Sequence, residues 1–215
     1  MVVDTLVVGV LEANCYIVGS STTNQALVVD PGDGAGMITA ALQRHGLHLT
    51  HIVATHAHFD HLLAARELQE ATGAAFYLHP DDLPALAQMR QMAIAWIGAP
   101  ADPPRVDKML SEGAVISMGE VELEVRATPG HSPGGVTLVD HRGRRAFTGD
   151  TLFAGSIGRC DLPHGNLDAL LASIRSQILT LPDDYAILPG HGPASTVGEE
   201  RLTNPFLSAA LGGPR

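Results

Sequence analysis

Thr55-His56-Ala57-His58-Phe59-Asp60-His61 places four metal-capable side chains, His56, His58, Asp60 and His61, within six residues. An apolar run, Leu49-Thr50-His51-Ile52-Val53-Ala54, leads into it and reads as a buried strand. Leu62 to Thr72 follows, rich in Leu, Ala, Arg, Glu and Gln, and stops at Gly73, so it reads as a helix. The cluster therefore sits on a strand-to-helix loop, where an α/β protein carries its chemistry. Imidazole and carboxylate donors together suit zinc, iron or manganese.

Strand-like runs precede this loop at Leu6–Val10, Cys15–Val18 and Ala26–Val29, with Gly19 to Asn24 as a hairpin loop. Asp30-Pro31-Gly32-Asp33-Gly34 stops the third run and opens a helix over Met37–His45, ended by Gly46. After the cluster come a strand at Ala75–Leu78 and a helix over Asp81–Ile97. Met89, Met92 and Trp96 on that helix read first as core and second as the wall of a substrate pocket. Further strands follow at Ala114–Met118, Val121–Ala127, Gly135–Val139 and Arg145–Thr148. Asn166 caps a helix that runs to Leu181, Tyr185–Leu188 is the last strand, and a short helix covers Gly198–Thr203. Strands with single helices, repeated in two halves, imply two packed sheets with helices outside.

Three more candidates follow strands in tight Gly/Pro loops: His131 in Thr128-Pro129-Gly130-His131-Ser132, Asp150 in Thr148-Gly149-Asp150-Thr151, and His191 in Leu188-Pro189-Gly190-His191-Gly192. Glycine and proline fix sharp turns that aim a side chain back over strand ends. With the cluster they make seven ligands, the number that two adjacent ions sharing one carboxylate require.

His-x-His-x-Asp-His, followed by the downstream His, Asp and His, resembles the metallo-β-lactamase-fold superfamily. Thr148-Gly149-Asp150-Thr151-Leu152-Phe153, Gly158-Arg159 and Gly190-His191-Gly192 are similar to the glyoxalase II-like, hydroxyacylglutathione hydrolase-like branch. The likeness spans Asn14 to Leu207. It implies an α/β fold, a four-layer αββα sandwich with the site at the shared edge of both sheets. It implies two divalent ions (zinc, iron or manganese), one held by His56, His58 and His131, the other by Asp60, His61 and His191, with Asp150 bridging. The expected reaction is attack of a metal-bridging hydroxide on a small-molecule thioester, with Asp60 and Asp150 as catalytic residues. A leaving thiolate with a pKa of about 8.5 needs little help from an acid.

Asp150 argues against class B β-lactamases, which lack an acid at the bridging position. Three readings stand beside the thioesterase. A mononuclear-iron persulfide dioxygenase shares much of the His pattern, a lactonase uses the same fold, and a metal-binding regulatory protein would bind ions without turnover. Glyoxalase II proper carries a C-terminal helical domain that grips glutathione. This chain ends 24 residues after His191, so 1–215 is expected to be a single hydrolase domain without it. Arg159 is a candidate contact for a substrate carboxylate, with a structural role equally open. His164 reads as a surface loop residue that can reach the pocket mouth. Glu199-Glu200-Arg201 and Asn204-Pro205-Phe206 read as a buttress of the last loop.

Hydrophobic residues at 45% and charged residues at 17% allow a sizeable core and argue against disorder. Thirteen Lys+Arg against 23 Asp+Glu give −10, which disfavours nucleic acid and anionic membrane as partners. Cys15 and Cys160 are the two cysteines, too few for a disulfide scaffold, and they point to the cytoplasm. The N-terminus lacks the basic region of a signal peptide, and no apolar run reaches membrane-spanning length.

Overall fold

Successive side chains alternate sides along Ala13-Asn14-Cys15-Tyr16-Ile17-Val18-Gly19, and every residue of this run is buried. A strand covered on both faces needs a layer on each side. In the computed structural model, which describes residues 1–208, Cys15 and Ile17 pack among helices while Tyr16 and Val18 pack against a second sheet. Residues 209–215, the end of the expected 1–215 domain, lie outside the described residues.

The first sheet runs β1 (Val2–Val8), β2 (Ala13–Gly19), β3 (Gln25–Val29), β4 (His48–Val53), β5 (Ala75–Leu78) and β6 (Lys108–Met109), paired in that order. β1 to β3 are antiparallel, and β3 to β6 are parallel. The parallel crossovers carry α1 (Ala35–Arg44), α2 (Ala65–Thr72) and α3 (Leu83–Ile97). The second sheet holds β7 (Val115–Met118), β8 (Val121–Ala127), β9 (Val136–Asp140) and β10 (Arg145–Gly149) as an antiparallel set. A small hairpin, β11 (Leu152–Phe153) with β12 (Ser156–Ile157), leaves it, and α4 (Leu167–Ser173) crosses to β13 (Ala186–Pro189), parallel to β10. β14 (Ser195–Thr196), α5 (Val197–Thr203) and α6 (Pro205–Ser208) close the described chain.

Three apolar layers match this order. Ile38, Leu68 and Met89 pack on one face of the first sheet, Val29, Leu123 and Phe147 fill the space between sheets, and Ile174, Ile178 and Val197 cover the outer face of the second. The fold is the four-layer αββα sandwich expected. Burying a side chain of Phe or Leu size contributes about 1.5–3 kcal/mol, so the inter-sheet layer is what holds the two halves in register.

The elements differ from the sequence expectation where local geometry overrides periodicity. β1 stops at Val8 rather than Val10, because Gly9 takes φ 70 and turns the chain. The helix expected from Leu62 begins at Ala65; a 3-10 turn over Phe59–His61 precedes it and brings Asp60 and His61 toward the sheet edge. The helix expected to reach Leu181 is α-helical only to Ser173 and continues as a wide turn, with Leu179 N–H donating to Ile174 O at 2.8 Å. The two-residue strands β6, β11, β12 and β14 carry no readable period, and β14 follows the strand expected to be last. Among the described residues, no helix is long and apolar enough to cross a membrane.

Candidate metal centre

The ends of β4, β8, β10 and β13 meet at one edge of the sandwich, and the loops leaving them carry His56, His58, His131, Asp150 and His191. The 3-10 turn after β4 adds Asp60 and His61. All seven side chains singled out in the sequence come together there. His56, His58 and His131 form one cluster of converging donor atoms, and Asp60, His61 and His191 form another. Asp150 lies between them, with Oδ1 3.5 Å from His61 Nε2 and Oδ2 3.5 Å from His131 Nε2 and 3.8 Å from His191 Nε2.

The ring orientations follow from their hydrogen bonds. Thr55 Oγ1 donates to Asp30 Oδ2 at 2.6 Å, so it accepts from His56 Nδ1 at 3.1 Å and leaves His56 Nε2 as a free acceptor. His131 Nδ1 donates to the Arg159 carbonyl at 2.8 Å, which makes Nε2 an acceptor too. That nitrogen faces His58 Nδ1 at 2.8 Å, and His61 Nε2 faces His191 Nε2 at 3.2 Å. His56 Nε2 and Asp150 Oδ1 are buried without any hydrogen-bond partner. Lone pairs that face one another in a buried space call for a cation, and an imidazole-carboxylate set suits zinc, iron or manganese. The donor set therefore fits metal ions.

The electrostatics divide the centre into two halves. Burial, with His61, His58 and His131 alongside, pushes His56 well below the ordinary imidazole range, and burial with His131 pushes His58 down to about 4. Burial also disfavours charge on His61, but Asp150, Asp60 and Asp30 outweigh it and hold the ring at about 10. Burial raises the Asp60 carboxyl, yet His61 and His191 overcome this and hold it below the usual carboxylate range. His56 and His58 thus resist protons, while Asp60 carries carboxylate charge that a cation must balance.

A family model of the metallo-beta-lactamase superfamily matches residues 8–191. The chain belongs to that superfamily. Among its metallo-beta-lactamase-superfamily relatives, hydroxyacylglutathione hydrolase GloC of Haemophilus influenzae is 32% identical, over 97% of this chain and 99% of its own. TTHA1623, solved in a di-iron-bound form, is 40% identical with a TM-score of 0.86, over 95% of this chain and 100% of its own. The B3 metallo-beta-lactamase BLEG-1 is 33% identical with a TM-score of 0.90, over 96% of this chain and 100% of its own.

Several residues that build this metallo-beta-lactamase-superfamily centre escaped the sequence reading. Asp30 is buried at the end of β3, in a left-handed backbone with φ 50. It accepts from Thr55 N–H at 2.7 Å and from the Thr55 hydroxyl, and it meets His61 Nδ1 at 3.2 Å. Asp30 is close enough to His56 and His61 to be a ligand itself, but these three donors occupy its oxygens, so it orients His61 instead. Asp82, wholly buried, accepts from Ala57 N–H at 2.8 Å, Ser132 Oγ at 3.0 Å and Gly134 N–H at 2.6 Å, tying the His56–His58 loop to the His131 loop. Asn14 Nδ2 donates to the carbonyls of Pro189 and Gly192, both at 2.9 Å, and Tyr16 OH donates to Pro189 O at 2.6 Å, so β2 clamps the His191 loop. Gly190 is required by space: a Cβ there would lie 2.3 Å from Asp150 Oδ1 and 2.7 Å from His61 Cε1.

The centre forms the floor of a cleft of about 480 Å³. Arg159 and His164 both line it, His164 from an exposed, left-handed position at the rim. The Arg159 guanidinium forks onto Asp161, Nε to Oδ1 and Nη2 to Oδ2 at 2.8 Å each, and holds that carboxyl down at about 2. Met89, Met92 and Trp96, read first as core, also line the cleft; Met89 is core and wall at once. Glu200 accepts from Ser195 Oγ, Gly155 N–H and Asn204 Nδ2, and Asn204 also donates to Ser156 O. The buttress expected of Glu200 and Asn204 thus reaches the β11–β12 hairpin, which brings Phe153 and Ile157 to the cleft.

Proposed function

We propose that the chain is a metal-dependent hydrolase of thioesters of the S-2-hydroxyacylglutathione type, a glyoxalase II-like thioesterase. The observation that carries this reading is the convergence of seven imidazole and carboxylate groups on buried acceptors without partners, His56 Nε2 and Asp150 Oδ1. The GloC relative supports the thioester, and the di-iron-bound neighbour supports a pair of metals. His56, His58 and His131 would hold one divalent ion, Asp60, His61 and His191 the second, with Asp150 shared. Zinc, iron and manganese all suit this set. Bound ions would supply hydroxide at neutral pH and positive charge for a tetrahedral oxyanion.

The chain's own groups account for the remaining steps. Asp60 Oδ2 lies 3.3 Å from His191 Nε2 and 3.7 Å from His61 Nε2, so it would join these rings as a ligand and stay ionised while water attacks. Asp30 and the Arg159 carbonyl fix the His61 and His131 rings while this happens. A thiolate leaving with a pKa of about 8.5 departs without a strong acid. The Arg159 side chain meets a substrate carboxylate by exchanging it for Asp161. The net charge of −10 supports a small-molecule substrate over nucleic acid, and free Cys15 and Cys160 support a cytoplasmic setting.

A second reading, β-lactam opening, is favoured by the likeness to BLEG-1, while Asp150 argues against it. The experiment is hydrolysis of S-lactoylglutathione by protein reconstituted with zinc, iron or manganese, beside a chelated control. A β-lactam, a lactone panel and oxygen uptake on a persulfide run in parallel. Chelator-sensitive turnover of the thioester, faster than the other arms, is the expected result. A fully metallated protein that leaves the thioester intact but works in another arm would refute the thioesterase reading.

A further inference from the structure

Met89, Met92 and Trp96 stand three and four residues apart along α3, so they share one face of the helix. All three line the cleft whose floor is the metal centre. Leu11, Phe153, Ile157 and Leu162 add apolar surface from other elements. Trp96 is left 53% exposed. An indole half in water beside a reaction centre is apolar surface that a ligand can cover, and the flexible thioether of Met92 can adapt to the shape that covers it. Charge points the same way. Apart from the histidines of the centre, the basic side chains among the described lining residues are Arg159, already forked onto Asp161, and His164 at the rim.

We propose that Met92 and Trp96 are specificity-determining residues that seat a bulky apolar acyl group, aromatic or long-chain aliphatic, while the charged thiol carrier leaves by the Arg159–His164 rim. The proposal rests on the hydrolase reading above for its orientation at the metal centre. A small acyl group such as lactoyl reaches the centre but leaves this wall uncovered. An extended apolar group covers it, and each buried methylene adds about fourfold in affinity.

Binding without turnover tests this. Metal-loaded protein is titrated with S-methylglutathione and S-hexylglutathione, and with the same two alkyl groups on N-acetylcysteamine. All four are thioethers that cannot be hydrolysed, and Trp96, the single tryptophan of the chain, reports by its emission. The hexyl probes are expected to bind about tenfold tighter than the methyl probes or better on both carriers, with a blue shift of Trp96. Met92→Glu, at a partly buried position, is expected to cut that advantage to about threefold or less, with metal content retained. Trp96→Ala, read by calorimetry, repeats the test at an exposed position. Equal affinities on both carriers, no binding of the hexyl probes, or a hexyl advantage that survives both substitutions would overturn the proposal. A protein that binds the hexyl probes tightly but hydrolyses no thioester would keep the apolar wall and lose the hydrolase reading, so the two failures are distinct.

Discussion

Asp150→Ala is expected to lower metal content from two ions per chain to one or fewer and to cut kcat/KM by about 10²–10³-fold or more. The reason is position. The carboxylate lies between the two clusters, 3.5 Å from His61 Nε2 through Oδ1 and 3.5 Å from His131 Nε2 through Oδ2. The other carboxylates nearby are committed elsewhere: Asp60 faces His61 and His191, and Asp30, though near both His56 and His61, has its oxygens taken by Thr55 and His61. Loss of the side chain leaves His61, His131 and His191 facing the gap without the shared negative charge. Elemental analysis of the purified variant, with circular dichroism to check the fold, reads the outcome. Two ions retained in Asp150→Ala would remove this residue from the shared position.

Asp82→Ala is expected to destabilise the fold by about 3–5 kcal/mol in urea unfolding, although the residue touches none of the seven side chains through a hydrogen bond. Three buried donors, Ala57 N–H, Ser132 Oγ–H and Gly134 N–H, lose their acceptor together. Water cannot replace it, because Asp82 and Ser132 are closed from solvent. The same bonds hold the loop of His56 and His58 against the loop of His131, so the first cluster should lose its ion before the second. A midpoint shift below what about 1 kcal/mol produces, with both ions retained, would show that the loops are held by other contacts.

The four-residue cluster was legible because its members share one loop, and the downstream three because each follows a strand in a Gly/Pro turn. Those patterns are local, and local geometry is what a sequence displays. Asp30 and Asp82 were not legible as parts of the centre. Asp30 looks like a strand terminator, Asp82 looks like the start of a helix, and their partners lie 25 to 52 residues away. Asn14 acts across a still longer separation, on carbonyls 175 and 178 residues on. On α3 the apolar face is evident from its spacing, but periodicity does not say which part meets the core and which part meets a cleft. Met89 does both, and Trp96 lies on the cleft side. The two-residue strands were invisible for a similar reason: β11 and β12 exist because Glu200 and Asn204 hold Gly155 and Ser156, not because of any alternation of their own.

The most direct test of the central claim is a metal titration of the chelated protein, counting bound ions while thioester hydrolysis is followed. The account predicts that activity rises until two ions are bound per chain and then stays level. Activity that saturates at one ion, with oxygen consumed, or a protein that binds two ions and hydrolyses no ester, thioester or β-lactam, would contradict it.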